Sequence, residues 1–185
     1  MIAIRNKREK RVVLQVRADD LEGLELVELS LHGVDLGGES LRRCTLQGSD
    51  LTGSDLGSAD LSQSTVVGTS LAHCDLFETN LRGLRVDDSD FSGADLGRAD
   101  MEGSRITAAC FFGANLRGAS LRGARLLGVD FTEALLYGAD FSGAELDEVD
   151  LTDAAYDDET VWPLGFNPRR RGAAHVANLD SETLA

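Results

Sequence analysis

Aromatic residues are scarce, at 5% of the 185-residue chain, so any core must be built from Leu, Val and Ala. The only two prolines, the only tryptophan and Phe166 all fall between residues 162 and 168. The three cysteines, Cys44, Cys74 and Cys110, share no metal-ligand spacing and are odd in number. That argues against a disulfide framework or a zinc site and reads as reduced, small hydrophobes in a reducing compartment. No run of eighteen apolar residues occurs, so no transmembrane helix is expected. The N-terminal "MIAIRNKREKRVV" is positively charged but lacks the apolar run of a secretory signal. A soluble, cytoplasmic protein is expected.

Positive charge is also in short supply. Thirty-two acids against 18 Lys and Arg give a net charge of −14. Nucleic acid and acidic membranes are polyanions, so direct binding of either by the whole body is not expected. Catalytic constellations are missing too. His32, His73 and His175 are scattered, and no P-loop, dinucleotide-binding glycine motif or HExxH zinc motif is present. No enzyme activity, metal or cofactor is expected.

What the chain has in abundance is period. Every residue whose number ends in 1 or 6, from Leu21 to Tyr156, is bulky and apolar. Two residues earlier stands a column of small residues, among them Ser49, Ser54, Ala59, Cys74, Ala94, Ala99 and Ala114. The position between is commonly Asp, Asn, Ser or Thr, and the position two after the bulky residue is often Gly. A helix advances about 100° per residue, so a five-residue step would spiral its Leu residues around the whole surface. In a plain strand an odd step sends alternate residues to opposite faces. Short extended segments joined by corners satisfy the period, with one large and one small side chain pointing inward per segment.

A twenty-residue period overlies the first: Asp35, Asp55, Asp75 and Asp95; Arg85, Arg105 and Arg125; Phe91, Phe111 and Phe131. Four segments per coil would stack these as vertical columns at about 4.8 Å, giving about seven coils. Numbering the faces of such a coil by their bulky residues, Leu21 begins the first, Leu26 the second, Leu31 the third and Leu36 the fourth.

The stretches "CDLFETNLRG", "SDFSGADLGRADMEGS" and "ANLRGASLRGARLLGVDF" resemble the pentapeptide-repeat family. The resemblance covers residues 21–156 and implies an all-β fold, a right-handed quadrilateral parallel β-helix. Residues 1–20 read as an N-terminal strand or hairpin cap, in which Ile2, Ile4, Val12, Leu14 and Val16 alternate around "RNKREKR". Residues 157–185 read as a C-terminal cap and tail. There "DDETVW" is expected to form a short helical turn and Trp162 and Phe166 to cover the last coil, with an aperiodic tail from residue 169. In the family's antibiotic-resistance members this end also joins two molecules, which implies a homodimer through Trp162 and Phe166.

The solenoid itself, residues 21–156, holds 24 acids and 9 arginines. Over about 34 Å this is one net charge per ~2.3 Å, against one per ~1.7 Å of duplex DNA. The resemblance supplies a meaning: the fluoroquinolone-resistance members are acidic rods that imitate DNA, bind DNA gyrase or topoisomerase IV and protect it from poisons. Several of them carry loops that interrupt the repeat; this chain has none and is more similar to the loopless mycobacterial type. The candidate partner-binding residues are Asp35, Asp55, Asp75 and Asp95 on the fourth face, Asp60, Asp100 and Asp140 on the first, and Asp90, Asp130 and Asp150 on the third. Asp at this position can also simply hydrogen-bond the turn. The alternative is a structural or interaction scaffold with another protein partner. Arg85, Arg105 and Arg125 form a basic stripe on the second face, expected to be neutralised by neighbours such as Asp87 and Asp88.

Overall fold

The computed structural model describes residues 2–17 and 20–177. The second face is a seven-stranded parallel sheet. Its strands are β3 (Glu25–Val27), β5 (Thr45–Gln47), β6 (Thr65–Val67), β7 (Arg85–Asp87), β8 (Arg105–Thr107), β9 (Arg125–Leu127) and β10 (Glu145–Asp147). Each pairs with the strand twenty residues on, Leu26 with Leu46 and Arg85 with Arg105. The other three faces are held by single parallel bridges in the same register, such as Asp50 to Ser70, Asp55 to Asp75 and Asp60 to Asn80. This is an all-β parallel solenoid.

The five-residue period arises at the corners. Every position numbered with a final 3 or 8, from Gly23 to Asp153, has φ between 48° and 70°. A left-handed residue after each short extended segment bends the chain back around the axis, and glycine is favoured there because it has no Cβ to clash. Between corners the bulky residue and the small one two before it point inward. Leu56, Leu96, Ala94 and Ala99 are fully buried.

The small column changes character along the rod. In the N-terminal half its hydroxyls and thiols donate to the carbonyl 23 residues earlier: Ser49 to Leu26 at 2.8 Å, Ser54 to Leu31 at 2.9 Å and Cys74 to Leu51 at 3.0 Å. From Ala94 onward the column is mostly Ala, and there the bulky column takes up Phe91, Phe111, Phe131 and Phe141. In a tube of fixed cross-section the volume added by the rings is offset by the smaller Ala side chains of the neighbouring column. Phe91 stacks on Phe111 at 4.7 Å and Phe111 on Phe131 at 5.1 Å, one ring per coil.

Both ends are closed. β1 (Ile2–Asn6) and β2 (Val12–Val16) form the expected antiparallel hairpin, and β1 also pairs with β4 (Val34–Asp35), covering the first coil. At the other end the bulky column does not stop at Tyr156. It slips by one residue: Val161 bridges Asp140, Trp162 stacks on Phe141 at 4.8 Å, and Thr160 Oγ1 donates to the carbonyl of Leu136, 24 residues back. "DDETVW" is thus a turn that begins an eighth, partial coil, not a helical turn. The helical segment lies further on, a 3-10 turn at Pro168–Arg171. Part of the expected aperiodic tail is also ordered. β12 (Ala174–His175) pairs parallel with β11 (Ala155–Tyr156), and Arg171 accepts from the Leu151 amide at 3.1 Å. The remainder of that tail, residues 178–185, lies outside the described residues.

Candidate polyanionic interface

Nine of the ten candidate aspartates do the same local work. Asp55, Asp60, Asp75, Asp90, Asp95, Asp100, Asp130, Asp140 and Asp150 each accept, through Oδ1, the backbone N–H two residues on, at 2.8–3.1 Å. The side chain thereby closes the corner. The second carboxylate oxygen remains to face solvent or a neighbour, and that neighbour differs from face to face.

On the first face the charge is compensated. Arg42 lies 3.9 Å from Asp60, Arg82 2.8 Å from Asp100 and Arg122 2.9 Å from Asp140. Arg82 also reaches Glu102 at 2.8 Å. Burial works against the Asp140 carboxylate, but hydrogen bonds from Ser142 and Arg122 outweigh it and hold the group below the usual range. Asp60 is lowered for the same reasons, burial being outweighed by Ser62, Asn80 and Arg42. These three candidates are placed on the surface as expected but sit in ion pairs.

The third face has no Arg or Lys at its outward positions. Asp90, Asp130 and Asp150 form no ion pair among the described residues. Asp50, Glu133 and Asp153 belong to the same face and escaped the sequence reading; the twenty-residue grid places Asp50 in the Asp90 column directly. Only histidine approaches, His32 at 3.3 Å from Asp50. Burial opposes the Asp50 charge, yet the Thr52 hydrogen bonds and His32 hold it lowered. Hydrogen bonds from Thr152 lower Asp150.

On the fourth face Asp35, Asp55, Asp75 and Asp95 bridge one another in successive coils. Lys10 of the hairpin comes within 3.6 Å of Asp35. The ladder ends where Asn115 Nδ2 donates to Asp95 Oδ1 at 2.8 Å. Basic and aromatic side chains share the face, Arg98 over Phe77 at 5.8 Å beside Asp75 and Asp95, and Arg117 over Tyr137 at 4.8 Å beyond the ladder's end.

The third face is therefore the one without a compensating arginine, and with the Asp35–Asp95 ladder of the fourth it forms an acidic corner; seven of the nine solenoid arginines lie on faces one and two, interleaved with acids such as Glu25, Asp87, Glu145 and Asp147, and Arg98 and Arg117 lie on face four. Basic residues bracket the corner at the ends, with Lys7, Arg8 and Lys10 in the hairpin and Arg169, Arg170 and Arg171 in the 3-10 turn. On the second face Arg85, Arg105 and Arg125 are exposed. Asp87 and Asp88 form no ion pair with them among the described residues; instead Glu145 lies 3.3 Å from Arg125.

Trp162 and Phe166 both lie at the C-terminal tip, stacked at 5.4 Å. Val161 and Leu164 beside them are exposed, Leu164 completely. Nucleophilic chemistry finds no support in the cysteines: Cys44 and Cys74 are buried, and burial pushes Cys74 up to about 11. Among the described residues no group of His, Cys, Asp and Glu is arranged to hold a metal ion, and no helix is long and apolar enough to cross a membrane.

A family profile described as pentapeptide repeats, in eight copies, matches segments that together run from residue 25 to 153. No curated protein sequence matches the chain. Among solved structures, QnrB1, a plasmid-mediated fluoroquinolone resistance protein, is 16% identical over 86% of this chain and 94% of its own, with a TM-score of 0.54. HetL from the cyanobacterium Nostoc sp. strain PCC 7120, involved in heterocyst differentiation regulation, is 23% identical over 86% of both chains, with a TM-score of 0.47. The likeness to QnrB1 speaks to the fold alone.

Proposed function

Because this chain belongs to the pentapeptide-repeat family, we propose that its acidic corner serves as an imitation of duplex DNA, binding the DNA gate of gyrase or topoisomerase IV and protecting it from poisons. The observation that carries this reading is the segregation of charge. Face three bears acids without arginine, and face four presents an aspartate in each of four successive coils. A basic groove shaped for phosphates meets carboxylates from that side that no arginine of the third face neutralises, and long-range steering brings the rod to it. The absence of interrupting loops leaves recognition to the faces and ends. The apolar tip at Val161, Trp162, Leu164 and Phe166 joins two rods end to end in this reading, doubling the acidic surface to about 70 Å. The fluoroquinolone-resistance role of QnrB1, a structure of the same fold, agrees with it.

The test is protection of gyrase and topoisomerase IV from fluoroquinolone-induced DNA cleavage. Purified protein should suppress cleavage, and Asp90→Asn/Asp130→Asn/Asp150→Asn, which keeps the turn acceptor and removes three charges, should suppress it less. No protection of either enzyme at about tenfold molar excess, where electrostatic binding would be saturating, refutes the proposal and favours a scaffold with another protein partner.

A further inference from the structure

The basic stripe of the second face has no place in DNA imitation, and it has a counterpart on the same molecule. Faces two and four are opposite sides of the rod, and both repeat at the coil rise. When two such rods lie antiparallel, face two of one against face four of the other, their strands run the same way across the contact. The position before each bulky residue then meets its equivalent, as does the position after.

With Ile106 of one copy level with Leu96 of the other, the outward side chains match over four successive coils. Arg105 opposes Asp95 and Arg125 opposes Asp75. Asp87 opposes Arg117, and Arg85 opposes the neutral Asn115. The apolar positions coincide as well. Leu127 and Phe77, exposed by 45% and 39%, face each other, and Val67 faces Tyr137. Face two carries two shallow grooves of about 320 and 290 Å³ that share Arg105 and Thr107, one bounded by Val67 and the other by Leu127. Tyr137 and Phe77 lie three coils apart, as Val67 and Leu127 do, so each ring falls at one groove. The next coil is unfavourable, since Glu145 meets Asp55, and it limits the contact to four coils.

We propose that face two is a docking surface for face four of a second copy of this chain. The contact is heterologous, so a pair keeps one free face of each kind, face four on one copy and face two on the other, and lateral association does not close at two. Four coils span only about 19 Å, and a strip of that length and one face, about 10 Å, in width covers about 200 Å², well short of the roughly 800 Å² per partner of a stable complex. The association is thus weak and becomes populated at high concentration. It covers the Asp75 and Asp95 ladder and leaves the third face open. The inference does not depend on gyrase binding.

Sedimentation velocity from about 10 μM to 1 mM tests it. Wild-type protein should grow with concentration beyond a dimer, whereas association through the apolar tip alone would stop at two. Asp87→Arg and Arg117→Asp, at exposed positions and neither of them a corner acceptor, should each weaken lateral association by about tenfold or more, because each places like charges together. An equimolar mixture of the two variants restores both charge pairs and should associate like wild type; Arg105→Glu gives an independent loss. Wild-type protein that never exceeds a dimer, or a mixture as dissociated as its components, would overturn the proposal.

Discussion

Replacing Asp75 by asparagine should make the protein more stable while weakening any partner that reads its charge. Asp75 stands in the fourth-face ladder between Asp55 and Asp95. Carboxylates on adjacent strands about 5 Å apart repel by roughly 0.8 kcal/mol each in water, and by about 0.5 after screening at physiological salt. Asparagine keeps the corner, since its Oδ1 can accept the Phe77 amide as Asp75 now does at 3.0 Å. Asn115 shows the same role by accepting from Arg117 at 3.3 Å. Asparagine also brings a donor. Asn115 reaches back to Asp95 Oδ1 at 2.8 Å, and an asparagine at 75 is placed to reach Asp55 likewise. Loss of two repulsions and gain of one hydrogen bond amounts to about 1–2 kcal/mol of stabilisation. For a chain of this size that raises Tm by about 2–8 °C. Urea unfolding of Asp75→Asn beside wild type, at about 0.05 and 0.5 M salt, measures it. The Coulombic share should shrink with salt and the hydrogen-bond share should persist. A variant less stable than wild type at low salt would refute the account of the ladder as a strained, like-charge stack.

The aromatic column should respond in the opposite direction: Phe111→Ala, which empties the gap between two stacked rings, should cost about 3–5 kcal/mol in denaturant titration, and Phe111→Leu markedly less. Gly172→Ala should destabilise the C-terminal cap, because φ there is 94° and a Cβ would fall 2.8 Å from the Thr152 Cα. Proteolysis or hydrogen exchange should report early opening of β12, at a cost of at least about 1–2 kcal/mol. For Asp140, whose folded carboxyl is lowered, the stabilising contribution is present above the unfolded pKa, about pH 4, and disappears as pH falls through the folded value. The stability advantage of wild type over Asp140→Asn, of order 1 kcal/mol at neutral pH, should therefore vanish toward pH 2; a constant difference would show that Arg122 and Ser142 do not hold the charged form.

Legibility in the sequence followed the range of the interaction that fixed each feature. The coil was legible because a narrow tube imposes the same local demand every five residues, a large inward side chain, a small one and a left-handed corner. Stacking was legible because parallel strands bring residues twenty apart into register. Turn chemistry at the aspartates was equally local, each carboxylate bonding an amide two residues away. Pairing on the first face was not read, although Arg42, Arg82 and Arg122 each lie eighteen residues before their acids. The separation is meaningful only once the directions of side chains on neighbouring coils are known.

Other features depended on the folded whole. The one-residue slip after Tyr156 hides the continuation of the bulky column, and only the stack of Trp162 on Phe141 reveals it. Nothing periodic marks Ala174–His175 as a strand; the open edge of the last coil recruits it, because unpaired backbone groups there need partners. The sequence by itself determined that this protein is an acidic solenoid with closed ends. Tertiary structure decided where the acid is exposed, by bringing arginines beside the aspartates of one face and none beside those of another. Charge is a property of residues, but the field a partner meets depends on which charges stand next to one another.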